Sequence, residues 1–168
     1  MQWANARGIL SYLILCIAGV TYFLYTKGAD NIQIALWGFG IAFLSQLLPQ
    51  FALHLNYYSV NKGDVLLYDA LHQEMIFNHY GKEIRFYISD IAMVKKYRSY
   101  AVEKKTIPIL ITDSYSHVII ILHDGTKIAL TSLLMGEDFE IPVDKDKIKL
   151  VMYPYRWVNG PSLQLPTK

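Results

Sequence analysis

A chain of 168 residues with 53% apolar residues has room for one domain plus an anchor. Its formal net charge of +2 excludes the strong basic field that gathers nucleic acid. The single cysteine, Cys16, excludes an intrachain disulfide and gives no argument for an oxidising compartment.

In chain order, the first element is a nearly uninterrupted apolar run, Ile9–Tyr25, and a second follows at Ile32–Leu48. Both fall at the short end of the ~17–25 residues that span a bilayer, and neither contains Asp, Glu, Lys or Arg. The second reaches further if its helix runs on to Leu55. The link Thr26–Asn31 suits only a tight antiparallel hairpin, and backbone in lipid must bond to itself, so two transmembrane helices are expected. Aromatics flank both runs: Trp3, Tyr22, Tyr25, Tyr57 and Tyr58. One Arg before the first run and no A-x-A site argue against a cleaved signal peptide. Arg7 and Lys62 lie outside the runs and Lys27 between them, so both termini are expected on the cytoplasmic side. The expected division is a hairpin over residues 1–56 and a cytoplasmic β domain with a C-terminal tail over 57–168.

Gln46, Gln50 and His54 recur every four residues and share one helix face around Pro49. Two readings stay open: a helix–helix contact with a partner or second copy, or the headgroup-level end of the span.

After Asn56 the chain turns polar, with β-type alternation. Strands are expected at Val65–Tyr68, Glu74–Tyr80, Ile84–Ile88, Ile91–Tyr100, Ile107–Thr112, His117–Leu122, Lys127–Leu130 and Lys147–Tyr153. Asp124-Gly125 predicts a tight hairpin, and Ser132–Phe139 a short helix. This many short strands in ~100 residues means a small antiparallel barrel or sandwich. The fold class is therefore α+β, a two-helix transmembrane hairpin followed by that β domain.

The order strand, Gly turn, strand running into ISDIAMVKKY (Ile88–Tyr97), hairpin, then HVIIILHDGTKIALTSL (His117–Leu133) resembles the bacterial pleckstrin-homology-like (PH-like) domain of small membrane proteins with two N-terminal helices. The resemblance runs over Tyr58–Leu134 and rests on Ile88 and Ile91 at a strand bend and on Ser132-Leu133 after the hairpin. It implies an integral, multi-pass protein of a bacterial inner membrane. One departure stands out: the fold ends in a C-terminal helix, and Leu134–Phe139, with Gly136 inside and Pro142 soon after, leaves it short or missing.

No catalytic or metal motif appears. His54, His72, His79, His117 and His123 form no H-x-x-x-H spacing, and His117 and His123 sit about 20 Å apart along one strand. There is no G-x-S-x-G, no phosphate-cradling loop and no spacing that places a Ser–His–Asp triad. The expectation is no enzyme and no cofactor.

Lys95, Lys96, Arg98, Lys104 and Lys105, interleaved with Tyr97 and Tyr100, form a basic segment. It reads either as a membrane- or lipid-facing patch, each cation contributing about 1 kcal/mol near an anionic leaflet, or as solvated charge protecting a strand edge. Tyr155, Arg156 and Trp157 are of the types that anchor interfaces, or they pack back on the barrel. Three functions follow in order: a non-enzymatic membrane-anchored interaction or scaffold module that binds a protein partner or assembles with itself as a homo-oligomer; an anionic-lipid or membrane-surface binding module; and an immunity-type protein against a membrane-active toxin. Nucleic acid is not an expected partner.

Overall fold

A computed structural model describes residues 3–104, 111–136, 140–152 and 157–166. The chain opens with two long helices, α1 (Trp3–Lys27) and α2 (Ile32–Asn61). α1 stops because Gly28 adopts φ +86, a left-handed conformation closed by its N–H donating to Leu24 O at 2.9 Å. A single 3-10 turn, Ala29–Asn31, then reverses the chain. The hairpin shows large apolar side chains to its surroundings: Leu15, Tyr22, Trp37, Ile41 and Leu48 are all more than half exposed. By length and composition α2 is able to cross a membrane, and the described apolar stretch within α1, Leu13–Lys27, is shorter.

α2 runs past both expected ends. It continues through Pro49 and does not stop at Leu55, so residues 56–61 are helical and the helix crosses the expected boundary at 56/57. The physical reason is tertiary. Leu53, Tyr57 and Val60 share a helix face and are buried against Tyr115, Ala129 and Val158. Each such burial contributes about 1.5–3 kcal/mol, enough to carry a helix past the point where apolar composition alone would end it.

Among the described residues, eight strands follow in two sheets. The first holds β1 (Asp64–Asp69), β2 (Glu74–His79) and β3 (Lys82–Tyr87), antiparallel and in sequence order. The second holds β4 (Ile91–Arg98), β5 (His117–Leu122), β6 (Lys127–Thr131), β7 (Ile148–Met152) and β8 (Leu163–Gln164), in the order β7-β4-β5-β6-β8. β7 lies parallel to β4, and the other pairings are antiparallel. The sheets face each other across one core built from Met75, Phe77 and Phe86 on one side and Val94, Val118, Ile120, Ile128 and Leu130 on the other. Among the described residues no ladder joins the sheets into one cylinder. Their link in the chain is a 3-10 turn, Ile88–Asp90, where Asp90 Oδ2 accepts from Tyr87 N at 2.8 Å. This is the bend expected from Ile88 and Ile91.

Among the described residues two short helices complete the fold, α3 (Tyr100–Glu103) and α4 (Ser132–Met135), the latter ended by Gly136 at φ +83. The expected C-terminal helix is thus a single turn, and the chain goes on to add the parallel strand β7. The strand expected at Ile107–Thr112 is not formed over its described end, where Ile111–Ser114 is a 3-10 turn; its remainder lies outside the described residues. That turn positions Tyr115 under α2.

Candidate functional site

The second sheet is covered on both faces. Its inner face meets the first sheet; its outer face carries the last third of α2 and the C-terminal segment around Val158. β alternation assigns the sides. Val118, Ile120, Ile128 and Leu130 point inward, leaving His117, Ile119, Ile121, Lys127, Ala129 and Thr131 outward.

A polar seam ties α2 to that outer face at positions four, three and four residues apart. Gln50 hydrogen bonds the Tyr115 hydroxyl, and His54 Nδ1 lies 3.0 Å from the same oxygen. Burial pushes the Tyr115 phenol above its usual range and the Gln50 bond opposes this, so the group stays a neutral phenol at physiological pH. Tyr57 OH lies 3.0 Å from His117 Nδ1, and the buried His117 ring stacks on Tyr97 at 4.3 Å between centroids. Asn61 closes the seam: its Nδ2 donates to Asp64 Oδ2 (2.8 Å) and Ala129 O (3.0 Å), and its Oδ1 accepts from Thr131 N (2.9 Å).

The C-terminal segment acts as a strap. Asn56 holds Val158 through both backbone groups, accepting from its N–H at 2.9 Å and donating to its carbonyl at 3.2 Å. Ser162 O accepts from Ala129 N at 2.7 Å, and β8 then pairs with β6.

The structure also brings Asp64, His79 and Ser162 together. Asp64 Oδ1 is 2.7 Å and Ser162 Oγ 3.0 Å from His79 Nδ1. A hydrolase triad needs the serine on the other ring nitrogen, Nε2, so that the ring relays a proton from serine while held by the acid. Here both partners converge on Nδ1 and Ser162 is fully buried. The trio is a stitch joining β1, β2 and the strap. Among the described residues no group of three or more His, Cys, Asp or Glu is arranged to hold a metal ion.

The residues singled out from the sequence separate. Of the helix face, Gln50 and His54 meet Tyr115, and Gln46 lies on α2 one turn earlier. Of the basic segment, Lys95 and Lys96 alternate: Lys95 faces outward and Lys96 is buried on the inner side. Arg98 lies 3.7 Å from Glu103 and 3.9 Å from Glu140, and Lys104 is exposed at the end of α3. Lys105 lies outside the described residues, as do Tyr155 and Arg156. Trp157 is half-exposed beside buried Val158.

The seam residues Asn56, Tyr57 and Asn61 carry no sequence signature, because a helical Asn or Tyr at a domain boundary looks the same whether it is buried or solvated. For Tyr57 and Asn61 the available clue was their spacing of three and seven residues from His54, whereas Asn56, two residues on, lies on another side of the helix.

Among curated proteins and among solved structures, none matches the chain. A family described as PH domain matches residues 2–139. The match begins before α1 and ends after α4, so the helical hairpin lies inside the family's unit, whereas β7, the strap and β8 lie beyond it. PH domains are typically non-enzymatic modules that bind proteins or lipids. With strands β1 to β6 in two facing sheets and four-fifths of its length matched, this chain belongs to the PH-domain family.

Proposed function

We propose that this chain is a non-enzymatic, membrane-anchored interaction module. Its helical hairpin spans the membrane, and its PH-like domain is presented at the cytoplasmic surface to a protein partner or to a second copy. The observation that carries this reading is the double life of α2. From Ile32 to Phe51 its large apolar side chains are largely uncovered, whereas Leu53, Tyr57 and Val60 are domain core. Such an apolar surface on an isolated soluble chain is an aggregation liability, and lipid is the solvent that removes it. Anchor and domain then move as one body, and tethering raises the local concentration of weak contacts at the surface.

The test is extraction followed by crosslinking. The full chain should stay with membranes through alkaline carbonate and yield a discrete crosslinked species in native membranes. Release by carbonate would refute the anchor, and a strictly monomeric, uncrosslinked protein would refute the interaction role.

Lipid binding is the second reading, favoured by one placement. α3 packs on the Ile111–Ser114 turn, which also borders α1 and α2. Exposed Tyr100 and Lys104 therefore sit beside the base of the hairpin. The assay needs the full chain, since cutting at residue 57 would sever α2 from the core it completes. Flotation of the full chain with anionic against neutral liposome-derived nanodiscs is the comparison.

A further inference from the structure

We infer that the part of the second sheet's outer face beside α2 and under the strap is a binding site for a small organic anion, such as a phosphate monoester or carboxylate with an apolar body. α2 covers only one end of that face. Beside it, a cavity of about 190 Å³ opens between the sheet and the strap. Ile119 and Ile121 form its floor, Asn159 and Gln164 stand on the strap side, and Lys95 and Lys127 flank it.

The register explains this composition. Lys95 pairs with Ile119, Ile119 with Ala129, Ile121 with Lys127, and Lys127 with Gln164. Directly paired residues share a face, so the two lysines stand on the same side, two strand spacings across and two residues along, roughly 12 Å apart. Two flexible four-carbon stems can converge on one anionic group across that gap. Lys149 extends the charge, because β7 sets it beside Lys95. None of the residues lining the cavity is acidic. Like charges gathered on an apolar floor, with no carboxylate among the described lining residues, have a complementary ligand in an anion, and the two side-chain amides add neutral hydrogen-bonding capacity.

Size and position narrow the class. The cavity is smaller than the ~300–1,000 Å³ typical of drug-sized ligands, which favours a metabolite-sized molecule over a peptide. Asn56 pins the strap wall, and the helical rise sets it about 10 Å beyond Pro49. On the anchored reading, that is past the headgroup layer of a bilayer ending near Leu48, so the anion comes from solution and not from a lipid. The site itself stands whether or not the chain is anchored.

The experiment is calorimetric titration of the full chain in phosphatidylcholine nanodiscs with phenyl phosphate, with benzyl alcohol as the neutral counterpart. Phenyl phosphate should bind one per chain and at least about tenfold more tightly than benzyl alcohol. Lys95→Gln and Lys127→Gln should each weaken it about tenfold or more, the worth of one charge-assisted contact. Lys62→Gln should leave it unchanged, and Lys95→Arg with Lys127→Arg should retain it, which separates lost charge from lost folding. Three results would overturn the site: no binding at about 10 mM, equal binding of benzyl alcohol, or undiminished binding by a folded double Gln variant. Loss of phenyl phosphate binding on adding phosphatidylserine to the discs would overturn the soluble source.

Discussion

Asn61 is the residue whose loss tests the junction most severely. Its side chain makes three bonds in a buried place: to the Asp64 carboxylate, to the Ala129 carbonyl and from the Thr131 N–H. Each of these partners belongs to a different segment from α2, so Asn61 joins helix, first sheet and second sheet at one point. A bond to a charged group contributes about 1.5–3 kcal/mol, and each neutral bond about 1 kcal/mol. Asn61→Ala should therefore cost about 3–5 kcal/mol, offset by a few tenths from better helix propensity. Against a total of about 5–15 kcal/mol for a domain of this kind, that is a large fraction. Asn61→Asp sharpens the test because it keeps shape and volume. The acceptor for Thr131 N survives, but the donor becomes a carboxylate oxygen facing Asp64 Oδ2 across 2.8 Å. The like charge raises the folded-state pKa of the new carboxyl above its unfolded value, so its penalty grows as pH rises through the unfolded value, near 4, and shrinks again in acid. Urea unfolding of detergent-solubilised protein followed by near-UV circular dichroism at pH 7 and pH 4.5 would read both. An Asn61→Asp variant as stable as the parent at pH 7, or an Asn61→Ala cost below about 1 kcal/mol, would refute the reasoning.

Other outcomes follow from the same geometry. Leu53→Ala should destabilise the β domain by about 2–5 kcal/mol, whereas Leu48→Ala, more than half exposed five residues earlier, should change it by less than about 0.5 kcal/mol; thermal unfolding of the two variants side by side measures the contrast. Gly63→Ala should cost about 1–2 kcal/mol, because Gly63 sits at φ +78 and an added Cβ would lie 3.3 Å from the Tyr80 ring; denaturant midpoints check it. His72 is raised in pKa first by its hydrogen bond to Asp69, and Asp69 is lowered first by the same bond. The pair's contribution is thus present above the unfolded carboxylate value, fades in acid as Asp69 protonates, and is lost again as pH rises through the raised His72 value. NMR titration should show the His72 pKa falling toward its ordinary value in Asp69→Asn, and an unmoved titration would remove the pair from the account.

The strands were legible because their signals are local. His117–Leu122 is bounded as its alternation predicts, and Asp124-Gly125 makes the hairpin with Gly125 at φ +90. Gly63 and Gly81, at φ +78 and +84, sit in the gaps left between the expected strands and the preceding helix. What the sequence hid is non-local. The end of α2 is set by Tyr115, Ala129 and Val158, which lie more than 50 residues away in the chain and announce nothing at Asn56. The basic segment looked contiguous because sequence order ignores alternation: a strand sends Lys95 and Lys96 to opposite faces, and Arg98 meets Glu103 and Glu140. Lys127 and Lys149 belong with Lys95 only through pairing registers, one of them parallel and closed by a segment beyond the family's matched span.

The strap gains its meaning from that last point. A PH-family fold ends in a helix, and here α4 is one turn, so the job of covering the sheet passes elsewhere. α2 covers one end of the outer face and the strap lies along the rest, held to each other through Asn56 and Val158. The helix that enters from the hairpin has therefore become a structural part of the β domain, and the C-terminal segment fastens it there. A flexible linker would let the domain sample all orientations; a helix buried at Leu53, Tyr57 and Val60 fixes one. For a tethered binding module the consequence is geometric. On the proposed anchored reading, a partner would meet the domain at a set height and angle, so weak contacts would need no ordering of a linker, and the entropy that such ordering would cost is already lost in folding.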